Sequence, residues 1–499
     1  MSKKKRRKSE PTVPNAAQQS TGSRWRFFVW MCTFFVGAAL LVQLDVITAW
    51  PGGEGYALAR AVDARWGDYL PAAINHALLP LGADVSADLD GQFLFPRLLS
   101  ALWLLLAGFF TYRYTARLFG KETGQLALLC SGASLFLPFF GKVATADTLA
   151  LLGHSGMLWS VLLYVLANDR RLIYGFGVFV LLGAVAAPVS TLLLSMMIVV
   201  LAVFQRTDYS WTVPAGVAVG VSCLVLLVQG PQGANTYWYY GQEDSRVLDL
   251  LYYGLLGMLP LAGWTVAGFR DVIFKARNFE QFSLIIGMAM VVTLLAQSLL
   301  FMYLVALLAG KQMQLYFREP NYPWKDWVRS AAVIQLVVAF IAAFLALTGG
   351  SIAFPGEGFR AALGMAGAYW IFSTLGVIGL FGDRRDFAIG GTVLAGVLTV
   401  MFFWVQVYPY VEAGRSWPEE LLAATPEPRV LQLPDEAVES ELSTALPYFR
   451  QAGWTLAEEG DYRLLMLPAN DTTEVGGGAQ VTGRAILWPV RFVLQPIRE

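Results

Sequence analysis

Residues 172–204 read LIYGFGVFVLLGAVAAPVSTLLLSMMIVVLAVF. The run holds no charge and is too long to cross a bilayer once, since roughly 20 apolar residues suffice. Pro188 stands at its middle, where a proline interrupts the helical hydrogen-bond ladder, so the run predicts two short helices meeting there. Residues 282–316 pose the same choice, with Gln297 and Ser298 near the centre. Splitting only one of the two would place later basic loops on the wrong side of the membrane, and length favours splitting both.

Working outward, apolar runs fall near 27–48, 94–119, 124–141, 148–167, 172–187, 189–204, 211–229, 247–269, 282–297, 299–316, 330–349, 360–381 and 387–408. The expectation is an all-α polytopic membrane protein with about thirteen transmembrane helices. Basic side chains gather in alternate loops, for example Arg113, Arg117 and Lys121, then Arg270, Lys275 and Arg277, then Arg384 and Arg385. The other loops hold fewer: Arg60, Arg65, Lys142, Arg246 and Arg360. By the positive-inside rule the N-terminus is cytoplasmic, and an odd count puts the C-terminus outside a bacterial inner membrane. Residues 1–24 are polar and basic and are expected to be a disordered cytoplasmic tail; residues 25–410 form the membrane domain. The long outer loop 50–93 is mixed in character. Residues 411–499 contain no lysine and alternate as a soluble domain does. Strands are expected at Arg429–Leu433, Tyr462–Leu467 and Arg484–Trp488, and an amphipathic helix at Asp435–Gln451, together a small periplasmic α/β domain.

Composition agrees. Apolar types make up 56% and charged types 14%, against roughly 25% charged in a soluble domain, and the mean hydropathy is +0.53. Lysine plus arginine equals aspartate plus glutamate at 36 each, so there is no nucleic-acid footprint. The basic cluster Lys3–Lys8 reads as a topology anchor facing membrane lipids. No cleavable signal pattern precedes the first run. Cys32, Cys130 and Cys223 lie far apart in apolar runs and imply no metal or disulfide framework.

The chain has two histidines, His76 and His154, and lacks HExxH, GxSxG and a Walker loop, which argues against zinc sites, hydrolase triads and nucleotide hydrolysis. Gln297 and Ser298 read as helix-packing residues, and no set of mid-membrane charges suggests a proton-coupled carrier. Acids at the outer face remain. Glu54 lies in Trp50-Pro51-Gly52-Gly53-Glu54-Gly55-Tyr56-Ala57, and Asp147 ends Gly141-Lys142-Val143-Ala144-Thr145-Ala146-Asp147. A carboxylate there can deprotonate an acceptor hydroxyl or hold a divalent metal ion. Arg97, Lys142 and Arg246 can neutralise a lipid phosphate at the same surface. The plain alternative is ordinary interfacial charges at a wet surface.

The first half resembles the integral-membrane glycosyltransferases that use polyprenyl-phosphate sugars, among them lipid A aminoarabinose transferases and protein O-mannosyltransferases. The likeness rests on order and spacing: Glu54 with Tyr56-Ala57; Gly67-Asp68-Tyr69-Leu70-Pro71; Arg97-Leu98-Leu99-Ser100-Ala101; Thr111-Tyr112 and Ala116-Arg117-Leu118-Phe119-Gly120; Asp147 opening the fourth helix; Pro188 at the tip of paired short helices; and Tyr237-Trp238-Tyr239-Tyr240 through Leu259-Pro260. It implies a GT-C-like fold, a polyprenyl-phosphate sugar donor, and an envelope acceptor that is a lipid, glycan or protein. It gives Glu54 or Asp147 the role of activating the acceptor, and Arg97, Lys142 and Arg246 that of holding the departing phosphate. Three charged positions of the family pattern are unmatched. Gly53 replaces the first of two acids, and neither the stretch Asn75–Pro80 nor Ala186-Ala187-Pro188 carries the expected lysine. Those departures suggest the alternative of a catalytically degenerate relative that binds lipid or scaffolds an envelope complex.

Overall fold

Each of the thirteen apolar runs contains a helix, because in hydrocarbon every backbone N–H and C=O must find a partner within its own segment. The computed structural model describes residues 16–44, 53–62, 70–83, 89–166, 169, 171–204, 212–229, 246–353, 357–412, 417–424, 429–432, 441–457, 459–469, 479–485 and 488–497. The basic cluster Lys3–Lys8, Asp68 and the aromatic stretch Tyr237–Tyr240 lie outside the described residues.

Helix α1 spans Ala16–Leu41. The outer loop carries α2 (Gly53–Val62) and α3 (Leu70–Ala83), followed by a 3-10 turn at Leu89–Phe93. Helices α4 (Leu94–Phe119), α5 (Lys121–Ala133) and α6 (Asp147–Leu166) come next, with a 3-10 turn at Pro138–Lys142 between the last two. The run that opened the sequence reading is α7 (Leu172–Ala186) and α8 (Pro188–Phe204), broken at Ala187 as Pro188 predicts. Then come α9 (Thr212–Gln229), α10 (Arg246–Gly257) and α11 (Ala262–Arg277). The run 247–269 is therefore not one straight helix: α10 and α11 meet at a 57° bend beside Pro260. The second ambiguous run is likewise two helices, α12 (Gln281–Leu295) and α13 (Leu300–Arg318). Helices α14 (Lys325–Ala353), α15 (Glu357–Phe381) and α16 (Arg385–Phe402) complete the bundle.

Among the described residues, six helices are long and apolar enough to cross a membrane, or seven if the bent pair is one span. Helices α7, α8, α9 and α12 are apolar but shorter. Along α14 the side chains of Ile334, Val337, Ile341, Phe344 and Leu345 face outward and are exposed. An apolar stripe of that length belongs in lipid, not in water.

Two ends of the bundle differ. At one, loops predicted to be cytoplasmic pair with each other: Arg117 with Asp169, Lys325 and Arg329 with Asp383, and Arg385 with Glu122. The first loop and the C-terminal domain gather at the other, where Tyr448 packs edge-on against Phe93. This grouping is the one the basic-loop reading requires. A reporter active only in the periplasm is expected to be active when fused after Glu499 and silent at Asn168; the reverse at either position overturns that orientation.

Helix α17 (Tyr408–Glu412) leads out of the bundle to α18 (Trp417–Ala423). A five-stranded sheet follows in the order β2-β1-β3-β5-β4: β1 Val430–Gln432, β2 Thr455–Ala457, β3 Tyr462–Pro468, β4 Ala479–Ala485 and β5 Trp488–Pro496. β1 runs parallel to β2 and β3, while β5 is antiparallel to β3 and β4. The expected strand 484–488 is wrong. β4 ends at Ala485 and β5 begins at Trp488, and these two residues pair across an antiparallel ladder. The apolar pattern carries on through the reversal, and Pro489 argues against a strand that forms nonetheless. The expected helix 435–451 is also shorter. A 3-10 turn at Glu441–Ala445 precedes α19 (Leu446–Gln451), whose start is set by Pro447 near its first position. Residues 433–440 lie outside the described residues.

Candidate functional site

Helix α1 ends at Leu41 and leaves C-terminal carbonyls without intrahelical partners. Two cations from other elements bond carbonyls at this end and just beyond it. Lys142, at the end of the 3-10 turn before α6, donates from Nζ to the Ala39 carbonyl at 2.9 Å and to the Val42 carbonyl. Arg97, on the first turn of α4, donates from Nη1 to the Leu44 carbonyl at 3.1 Å. Positive charge at a helix C-terminus also suits the helix dipole.

The rest of the Arg97 fork grips Glu54. Nε donates to Oε1 at 2.9 Å and Nη2 to Oε2 at 3.0 Å, a two-pronged carboxylate contact. The Ala144 backbone N–H donates to the same Oε1 at 2.7 Å. Glu54 sits in the first turn of α2 and is 2% exposed, and Arg97 is fully buried. Phe93 closes one side, its ring centroid 5.6 Å from the Arg97 guanidinium carbon. Trp404, in a π-helical turn after α16, lies 4.5 Å from Lys142 Nζ. Burial, with the Arg97 charge adding to it, pushes the Lys142 ammonium down to about 7.

The structure thus joins three of the five candidate residues, Glu54, Arg97 and Lys142, in one buried charged cluster. The expectation of a wet surface for Glu54 is corrected: α2, the 3-10 turn and the 143–146 connection fold over it. Asp147 is the first residue of α6, three positions beyond Ala144, and is 5% exposed. Ser100 on α4 ties that connection down by donating to the Thr145 carbonyl. Arg246 opens α10, and its side chain lies outside the described residues. The oxygens of Glu54 already accept from Arg97 and Ala144, and no three His, Cys, Asp or Glu converge among the described residues. That donor set does not fit a divalent ion at Glu54.

Sequence reasoning missed a second polar cluster, deeper in the bundle. His154, two turns along α6 from Asp147, bonds Ser298 Oγ from Nδ1 at 2.7 Å and Thr191 Oγ1 from Nε2 at 2.9 Å. Ser190 Oγ donates to the Ala296 carbonyl at 2.7 Å. The two helix breaks, after α7 and after α12, are therefore fastened to each other and to α6. A methyl group at Gly153 would collide with the backbone of Gly183, so these helices touch almost backbone to backbone. Ser298 acts as the packing residue the sequence suggested, but its histidine partner is far away in the chain.

No family model matches the sequence, and no curated protein matches it. The fold has counterparts. ArnT from Cupriavidus metallidurans in the apo state matches with a TM-score of 0.59 and 13% identity, over 95% of this chain and 98% of that one. The same protein bound to undecaprenyl phosphate matches with a TM-score of 0.55 and 13% identity, over 94% and 98%. The chain has the GT-C fold of the integral-membrane glycosyltransferases that its motifs resemble.

Proposed function

We propose that this chain is a membrane glycosyltransferase that moves a sugar from a polyprenyl-phosphate carrier to an envelope lipid, glycan or protein at the outer face of the inner membrane. The observation that carries the proposal is the end-to-end correspondence with ArnT, whose structure includes a complex with undecaprenyl phosphate. In this reading Asp147 accepts the proton of the acceptor hydroxyl as that oxygen attacks the anomeric carbon. The bond to the phosphate oxygen breaks, and its electron pair leaves with the polyprenyl phosphate. Arg246, and Arg97 held in place by Glu54, supply positive charge to the departing group. Charge develops there in the transition state, so a contact of this kind is worth on the order of a hundredfold in rate.

One observation favours a second reading. Glu54, Arg97 and Lys142 are already bonded to protein groups, and Gly53 stands where the family pattern has its first acid. A catalytically degenerate relative would keep such a cluster as a structural fastening and still bind the lipid. Purified protein incubated with polyprenyl-phosphate sugars and extracted envelope acceptors, with and without divalent cation, separates the two. Sugar release above an Asp147→Asn control supports the transferase. Bound polyprenyl phosphate found by mass spectrometry, with no sugar released under any condition, supports the binding role.

A further inference from the structure

The Glu54–Arg97 pair has an apolar roof, and one of its members comes from the far end of the chain. The cluster consists of Leu58 and Ala61 of α2, Leu79 of α3, Phe93, Ala144 and Tyr448 of α19. The chief supports of the pair each contribute to it. Helix α2 carries Glu54, Phe93 lies against Arg97, and Ala144 supplies the backbone N–H that Glu54 accepts. Tyr448 is fully buried and meets the Phe93 ring edge-on, with centroids 5.6 Å apart and planes at 84°. Leu422 of α18 packs against the same cluster. We infer that the C-terminal domain is the roof of the candidate site and that Tyr448 is a positioning residue, which holds Glu54 on Arg97 by clamping Phe93 and α2.

The physical reason lies in the water that the roof excludes. A carboxylate and a guanidinium attract each other several-fold more strongly in a buried setting than beside bulk water. Their cost of burial is met only while the geometry stays good. Opening the roof wets the pair and frees α2, a ten-residue helix too short to persist by itself. For catalysis the inference rests on the proposed function; for the placement of α2 it does not.

Hydrogen exchange on the full-length protein in lipid nanodiscs tests it. Tyr448→Ala is expected to speed exchange in residues 53–62 on the order of a hundredfold, as removal of a buried aromatic commonly does, and to leave α13 unchanged. Tyr448→Phe, which keeps the ring, is expected to restore protection. Leu464→Ala, in the separate core of the soluble domain, is expected to leave residues 53–62 protected. If alanine unfolds the soluble domain, Tyr448→Leu replaces it, with an expected effect of about tenfold. The decisive arm is coupling: in a Glu54→Gln background the effect of Tyr448→Ala should shrink, because the pair through which it acts is already broken. Unchanged protection with alanine or leucine, failure of phenylalanine to restore it, or an undiminished effect in the Glu54→Gln background overturns the inference. In the transfer assay Tyr448→Ala should lower turnover more than it weakens undecaprenyl phosphate binding. Absence of transfer by the unaltered protein counts against the proposed function alone, since the exchange result is read without substrate.

Discussion

Replacing Glu54 by glutamine is expected to destabilise the folded protein by about 3–5 kcal/mol, the usual cost of stripping one partner from a buried ion pair. The substitution keeps the shape of the side chain but leaves the fully buried Arg97 without its counter-charge. At a wet surface the same change would cost within about 0.5 kcal/mol, so stability measured in detergent distinguishes buried from interfacial sharply. The double variant Glu54→Leu with Arg97→Met is expected to lose less than either single change. It still leaves the Ala144 N–H and the Leu44 carbonyl without their partners, at about 1–3 kcal/mol each. A Glu54→Gln protein with an unshifted denaturation midpoint would show that the pair is open to water in the membrane.

Asp147→Asn is expected to do the opposite, sparing stability and removing activity. Asparagine is tolerated at a helix N-terminus, and loss of the favourable charge–dipole contact costs about 0.3–1 kcal/mol. A positioned general base contributes on the order of 10²–10⁴ in rate, so sugar transfer should fall by that factor while carrier binding holds. In the proposed mechanism Asp147 carries this role because it opens α6 at the outer end, three positions beyond the Ala144 N–H that Glu54 accepts. Transfer at full rate by the Asp147→Asn protein would exclude Asp147 as the base.

Much of the fold was legible because lipid imposes a simple rule: a helix is marked by its apolar length and stopped by its charges. Pro188 located the α7–α8 break, and the basic loops grouped the two ends of the bundle. The site was legible in part. The motif order marked Glu54 and Arg97, the outer-face charges marked Lys142, and the structure brings the three together. What could not be read was their mutual satisfaction, because a carboxylate facing lipid phosphate and one gripped by an arginine have the same one-letter code. Tyr448 was invisible for a different reason: its contact with Phe93 joins segments more than 350 residues apart, beyond any periodic signal. The soluble domain was read least well, since its shortest strands are three residues long and take their pairing from neighbours, not from their own composition.

The fastening of the two helix breaks bears on how the protein is made. Helices α7 and α8 span 15 and 17 residues, about 22–26 Å at 1.5 Å per residue, shorter than the roughly 30 Å hydrocarbon core. They leave the ribosome well before residues 296–298, to which Ser190 and, through His154, Thr191 are later joined. Until α12 and α13 arrive, the Ser190 hydroxyl and the Nδ1 of His154 sit in a half-built bundle without their final partners. The earlier hairpin is thus a provisional insertion that the later one locks. Nascent chains stopped before Ala296 should be extracted from the membrane or degraded more readily than chains that have passed it.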